Sequence, residues 1–269
     1  MAYAGCWLLA AGATVASGVS FGNIFPTPKQ RQKVMLILGE DQAEDYAWRM
    51  QAMMESPFGQ SYPWLDMDLK IEVLEGRRFP LVVRSGGGVV ESGCLEVLEK
   101  MTRGCKLVGI DPVIMFSDAD EGKNNELDVF ARALAAVAIR NKLGFLMAQH
   151  ASQDAILNKR DDNHAGRGGT ALAAATRGGW VIRGLNDKEV KAANIPEQQL
   201  AEWKVLVNAK ASHKSIDKKV WLKHEKDGVL VQKWPPGIIK SAPETGYKKN
   251  TRSENKKTVN GVEYGDVPF

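Results

Sequence analysis

Three stretches of the chain are apolar at nearly every position and end abruptly in polar groups. Lys33 leads into Val-Met-Leu-Ile-Leu and then Gly39-Glu40-Asp41. Lys106 leads into Leu-Val-Gly-Ile and then Asp111, and Gly144 leads into Phe-Leu-Met-Ala and then Gln149-His150. A strand covered on both faces has no polar side to alternate with, so such runs are the pattern of a buried parallel sheet. Leu69 to Leu74 alternates like a shorter strand. Helical patterns fill the intervals: Asp41 to Glu55, with Asp41 placed to cap it, Glu91 to Met101 after the bend at Gly86-Gly87-Gly88, and Asn124 to Lys142. The strand, helix and strand between Lys106 and Ala148 form a right-handed crossover unit. The pattern predicts an α/β protein.

The ends of the chain read differently. Met1 to Gly22 is apolar and rich in small residues, and Ala16-Ser17-Gly18 imitates a cleavage site. A secretory signal needs a positively charged start, yet the first basic residue is Lys29, and Gly5, Gly12 and Gly18 interrupt the run. A buried helix from Cys6 to Ser17, closed by Gly18, is expected instead. Polar, glycine-bearing Gln153 to Gly169 is expected to be a mobile loop. Trp180–Leu185, Val205–Ala209, Val220–His224 and Val229–Gln232 are expected strands, the last two joined at Lys226-Asp227-Gly228 as a hairpin. From Pro235 the composition turns to Pro, Gly, Ser, Asn and Lys without apolar periodicity, which predicts disorder. The expected division is a domain over 1–234 and a basic tail over 235–269.

Composition changes this picture little. Hydrophobic residues are 44% and charged residues 25% of 269, as in ordinary soluble domains. A net charge of +4 permits contact with a polyanion without requiring it. Cys6, Cys94 and Cys105 have no metal-ligand spacing and read as reduced thiols of a cytoplasmic protein. Nor do His164, His213 and His224 have metal-like spacing.

Open parallel sheets gather ligands at the carboxyl ends of their strands. If the three apolar strands are neighbours, Glu40, Asp111, Gln149 and His150 converge on one crevice. An aspartate at a buried strand's end suits a magnesium–phosphate site, a glutamate beside it can polarise water, and Gln or His can contact a phosphate. Taken singly, an acid at a strand end often does no more than cap the following turn, and Asp41 is read that way.

Together these segments resemble the RepA-type hexameric replicative helicases of plasmids, a branch of the RecA-like ATPases. The resemblance rests on Lys33-Val-Met-Leu-Ile-Leu-Gly-Glu-Asp41 with Arg49, Lys106-Leu-Val-Gly-Ile-Asp111, Phe145-Leu-Met-Ala-Gln-His-Ala-Ser152 and Gly166-Arg-Gly-Gly-Thr-Ala-Leu172, in that order. It implies a RecA-like α/β fold, a mostly parallel central sheet with helices on both faces, to which the pattern adds the C-terminal β-hairpin and the disordered tail. It implies ATP and Mg2+ as cofactors, single-stranded DNA as partner and self-association up to a hexamer. By resemblance Glu40 activates the hydrolytic water, Asp111 is the Walker B aspartate acting on magnesium, and His150 senses the γ-phosphate. Arg177 matches an arginine finger and Lys210 a lysine, both reaching a neighbouring subunit's nucleotide. Lys159 and Arg160 lie in the place of the loops that face DNA. Read without the resemblance, Arg177 and Lys210 are ordinary surface charges, and Lys159-Arg160 is balanced by Asp161-Asp162.

The family's phosphate-binding loop ends in Gly-Lys-Ser or Gly-Lys-Thr, and neither occurs in this chain. Aligned on the following helix, those Lys-Ser positions fall on Gly5 and Cys6, which with Gln149 are the cofactor-binding candidates. Ala173, Ala174 and Ala175 stand where an aspartate is expected, and Ser212 where an asparagine is. The readings left open are a truncated or degenerate helicase or helicase-related ATPase of a mobile element, a non-hydrolysing DNA-binding or ring-interaction subunit, and a regulatory ATPase.

Overall fold

The computed structural model describes residues 3–60, 62–64, 67–162, 165–166, 170–211, 219–225 and 228–238. Met1 to Ile238 form one compact unit. Its centre is a four-stranded, wholly parallel sheet of β1 (Val34–Leu38), β2 (Leu69–Val73), β5 (Leu107–Asp111) and β6 (Gly144–Met147), in the order β2-β1-β5-β6. The three apolar runs are therefore adjacent strands, as their pattern predicts. Every residue of β1 is buried, which is why no polar residue interrupts it.

The pleat of β1 divides its side chains between two cores. Val34, Leu36 and Leu38 face α1 (Tyr3–Ser17) and α2 (Ala43–Glu55). Met35 and Ile37 face α3 (Gly93–Met101) and α4 (Asn124–Asn141). Each fully buried aliphatic side chain there contributes roughly 1.5–3 kcal/mol. Gly109 permits close packing, since a Cβ there would come within 2.5 Å of Leu36 Cδ2. The apolar start of the chain is α1, a buried helix ended by Gly18 at a φ of +74°. Among the described residues no helix is long and apolar enough to cross a membrane.

Several local expectations need correcting. Asp41 does not cap α2. Its N-cap is Gln42, whose N–H donates to Asp45 Oδ2 at 3.1 Å, leaving Asp41 free for the contact described below. The bend at Gly86-Gly87-Gly88 is the tip of a small hairpin, β3 (Val82–Ser85) and β4 (Gly88–Glu91). Gln153–Gly169 is not one loop. It opens with α5 (Gln153–Leu157), capped by Ser152, whose hydroxyl accepts from Ala155 N–H. The short helices α6 (Thr170–Ala175) and α7 (Asp187–Ala193) were also not foreseen.

The later strands form a second, antiparallel sheet in the order β10-β9-β8-β7: β7 (Gly178–Arg183), β8 (Trp203–Ala211), β9 (Lys219–His224) and β10 (Leu230–Gln232). β9 and β10 are the expected hairpin pair, although Lys226 and Asp227 of its turn lie outside the described residues. Leu206, Leu222 and Val229–Val231 share the core built on α1, and Trp7 meets Trp180 with ring centroids 6.0 Å apart. Of the expected disordered tail, 239–269 also lies outside the described residues.

Candidate functional site at the carboxyl edge of the parallel sheet

Because β1, β5 and β6 are parallel neighbours, their carboxyl ends open onto one edge. Glu40 follows β1 and Asp111 ends β5, with Leu38 and Asp111 paired in register and Gly39 N–H donating to the Asp111 carbonyl at 2.7 Å. His150 follows β6, its Nε2 3.9 Å from Glu40 Oε1. That is ion-pair range and too long for a hydrogen bond. The N-terminal turn of α1 closes the edge. A Cβ on Gly5 would lie 3.7 Å from Asp111 Oδ2, 3.2 Å from Arg49 Nη1 and 3.5 Å from Tyr46 Cε1.

Asp111 is the anomalous group. It is 1% exposed, and its Oδ2 has no hydrogen-bond partner among the described residues. Burial, then the charges of Glu40 and Asp41, push its carboxyl up to about 7, with Arg49 opposing. A carboxylate held this way favours whatever brings positive charge.

Arg49 on α2 is the nearest cation, and it is engaged. Its Nη1 is 2.7 Å from Asp41 Oδ2, both side chains being largely buried. Burial disfavours the guanidinium, but contact with Asp41 outweighs this and raises its pKa. The same guanidinium stands 5.2 Å from the Tyr46 ring centroid. Burial pushes the Tyr46 phenol up to about 12 and also raises the Cys6 thiol. Sequence reasoning assigned no role to Tyr46, and it missed that Asp41 and Arg49 pair across the first turns of α2. The only available signal was the opposite charge of the two residues, since Asp41 lies ahead of the helix that carries Arg49.

The other candidates lie elsewhere. Gln149 Oε1 is 3.0 Å from a Cβ built on Gly166, beside the bridge between Ala151 and Gly166. Arg177 is exposed just ahead of β7. Lys210 Nζ donates to the Ala173 and Ala174 carbonyls at 2.7 and 2.9 Å, capping the end of α6 within its own chain. Lys159 Nζ donates to the Leu185 carbonyl. Arg160 pairs with Asp154 at 2.9 Å and Asp162 at 2.8 Å. The structure thus unites Gly5, Cys6, Glu40, Asp111 and His150, and ties Lys159, Arg160 and Lys210 into local contacts.

For magnesium and ATP the donor chemistry fits by halves. The unpartnered Asp111 Oδ2, crowded by two carboxylates, suits a divalent cation. Among the described residues no three His, Cys, Asp or Glu side chains are grouped to hold a metal alone. A magnesium ion bound through one carboxylate, phosphates and waters needs no such group. The phosphate side fits poorly, because the nearest cation, Arg49, is committed to Asp41.

The parallel sheet and the helices on its two faces define an α/β fold, with an aspartate, a glutamate and a histidine at adjacent strand ends. The family model described as AAA domain matches residues 7–155, more than half of the chain, and the chain belongs to that family. No curated protein matches it. Among solved structures, the crystal structure of the RadB recombinase aligns at a TM-score of 0.42 and 11% identity, over 74% of this chain and 78% of that one.

Proposed function

We propose that the chain is the RecA-like domain of a cytoplasmic replicative DNA helicase, or helicase-related ATPase, of a mobile element, with a weakened phosphate-binding side. The supporting observation is the adjacency of β1, β5 and β6, which brings Glu40, Asp111 and His150 to one edge. Bound magnesium-ATP would supply the phosphoryl bond to be cut. Asp111 would hold the cation, Glu40 would take a proton from the attacking water, and His150, beside Glu40, would orient that carboxylate. Arg177, exposed ahead of β7, would reach a neighbouring subunit along single-stranded DNA.

The absent lysine removes a charge-assisted contact worth roughly 1.5–3 kcal/mol, about ten- to a hundredfold in affinity. Calorimetric titration with magnesium-ATP is therefore expected to find binding weaker than micromolar. Micromolar binding abolished by Arg49→Ala would show that Arg49 has replaced the lysine. Strand displacement on a forked DNA tests the helicase reading. The engaged Arg49–Asp41 pair favours a second reading, a non-hydrolysing DNA-binding or ring-interaction subunit. That reading predicts single-stranded DNA binding with neither ATP binding nor strand displacement.

A further inference from the structure

The structure assigns the opposite, amino edge of the parallel sheet a role of its own, as a surface that binds the phosphates of duplex DNA. What marks this edge is unmatched positive charge. Arg49, Arg78, Arg140, Arg160 and Arg183 each hold a carboxylate at 2.6–2.8 Å. Five exposed cations stand instead where β1 and β5 begin and where α3 and α4 end: Lys33, Lys100, Arg103, Lys106 and Lys142. Among the described residues none of the five has an ion-pair partner. Of the acids near this rim, Glu99 is taken by Arg140 and Glu72 by Lys70, and exposed Asp68 lies beyond Lys33 on the β2 side.

The backbone fixes these charges on one rim. Lys106 N–H donates to the Lys33 carbonyl at 2.8 Å, which sets the two lysines on neighbouring strands about 5 Å apart. By the pleat, both share the face of Met35 and Val108, the one covered by α3 and α4. Lys106 Nζ lies 3.4 Å from the Lys142 carbonyl at the end of α4. Asn141 Nδ2 donates to the Glu99 carbonyl at 2.7 Å and to Thr102 Oγ1 at 2.9 Å, tying the ends of the two helices together. Cys105 N–H donates to the Thr102 carbonyl at 3.0 Å and closes the turn that carries Arg103.

Cations at helix C-termini answer the helix dipole, which accounts for Lys100 and Lys142 taken singly. It does not account for Lys33 and Lys106, like charges set side by side at strand starts, an arrangement that only added negative charge relieves. An unmatched cation gains by displacing counterions from a polyanion. Duplex DNA carries one charge per about 1.7 Å of axis, twice the density of a single strand, and a rim of point charges meets phosphates without reading bases. This rim is at the far end of the sheet from Glu40, Asp111 and His150, so the inference does not rest on the ATPase reading.

The test follows the 269-residue chain binding a fluorescent duplex oligonucleotide by anisotropy, over a salt series and without nucleotide. Lys33→Gln with Lys106→Gln should weaken binding at least about tenfold at low salt and reduce the salt slope by about two. Lys188→Gln with Lys191→Gln removes the same charge from exposed positions of α7 and should change affinity by less than about threefold. Lys33→Arg with Lys106→Arg should bind as the wild type does. All these side chains are exposed, so the urea midpoints should not move. If the first pair shifts its midpoint, Arg103→Gln with Lys142→Gln is the second variant and is expected to lose as much affinity. Absence of binding by the wild type, equal losses in the rim and α7 pairs, or equally tight binding of a single strand of the same length overturns the inference. Polyglutamate bound more tightly than the duplex would assign the rim to an acidic protein segment and overturns it too. With no nucleotide present, failure of the ATPase reading leaves each of these outcomes unaltered.

Discussion

Two regions of this molecule take carboxylates out of water and treat them in opposite ways. On α7, Glu189 is buried against Arg183 at 2.6 Å and against Lys219, with Asp161 2.8 Å from the other arm of the guanidinium. It also accepts the Asn186 N–H at 2.9 Å. Burial alone would raise its carboxyl, but Arg183 and Lys219 reverse the sign and hold it at about 2. At the tip of β5, Asp111 is as deeply buried, yet its neighbours are acids and its nearest cation belongs to Asp41. The first region is a closed account of charge that holds β7, α7 and β9 together. The second leaves a charge unanswered, and that asymmetry, more than the presence of acids, singles this edge out as the candidate site.

The largest expected effect comes from opening the closed network. Glu189→Gln leaves Arg183 buried with only half-exposed Asp161 as counter-ion, and should destabilise the fold by about 3 kcal/mol. Urea unfolding measures this, and a loss below about 1 kcal/mol would show that the network contributes no more than a surface pair. Asp111→Asn should act in the opposite direction, because it removes the unfavourable charge. The signs follow from linkage. The Asp111 carboxyl is raised when folded, so its contribution is fully present below the unfolded value of 3.8 and is lost as pH rises towards about 7. The Glu189 carboxyl is depressed, so its contribution is present above 4.5 and is lost as pH falls towards about 2. Asp111→Asn should therefore flatten the stability profile between pH 4 and 7, with the variant gaining on the wild type as pH rises through that window. Glu189→Gln should instead flatten it below pH 4.5. An unchanged slope between pH 4 and 7 in Asp111→Asn would mean that the carboxyl finds a partner in solution.

How legible these regions were follows from the range of the interactions. The strands β1, β5 and β6 could be read because burial on both faces leaves a local mark in the sequence, and Glu40, Asp111 and His150 follow from where those runs stop. The hairpin of β3 and β4 is too short, and too interrupted by Arg84 and glycines, to leave one. The partners of Lys210 and Glu189 come from other elements, so neither contact has a periodicity. Arg49 was visible as a residue, but its contact with Asp41 spans more than a helical turn of sequence and leaves no short-range spacing to read.

Lys210 and Arg177 separate residues that serve their own fold from those free to act elsewhere. Lys210→Met removes two hydrogen bonds to the end of α6 and should cost about 1 kcal/mol, with faster amide exchange near Ala173 and Ala174. Arg177→Ala, at an exposed position, should change stability by less than about 0.5 kcal/mol. Sedimentation with and without single-stranded DNA then shows which one weakens association. If Lys210→Met leaves the monomer's stability untouched and abolishes association, the contact with α6 is incidental and the residue acts between subunits.

The smallest effect is expected at Arg160. A cation contributes to DNA binding by releasing counterions from phosphates, and it can do so only if its charge is not already matched. Arg160 pairs with Asp154 and Asp162, and these contacts raise its pKa further. Arg160→Ala should therefore leave affinity for a single-stranded oligonucleotide within about twofold and change the salt slope by less than about one. The double substitution Asp154→Asn with Asp162→Asn unmasks the guanidinium without adding a cation, and should increase both affinity and slope. Unequal responses would locate the DNA path. A large loss in Arg160→Ala means that DNA displaces the two aspartates and uses this loop, whereas no gain in the double variant means that the strand passes elsewhere.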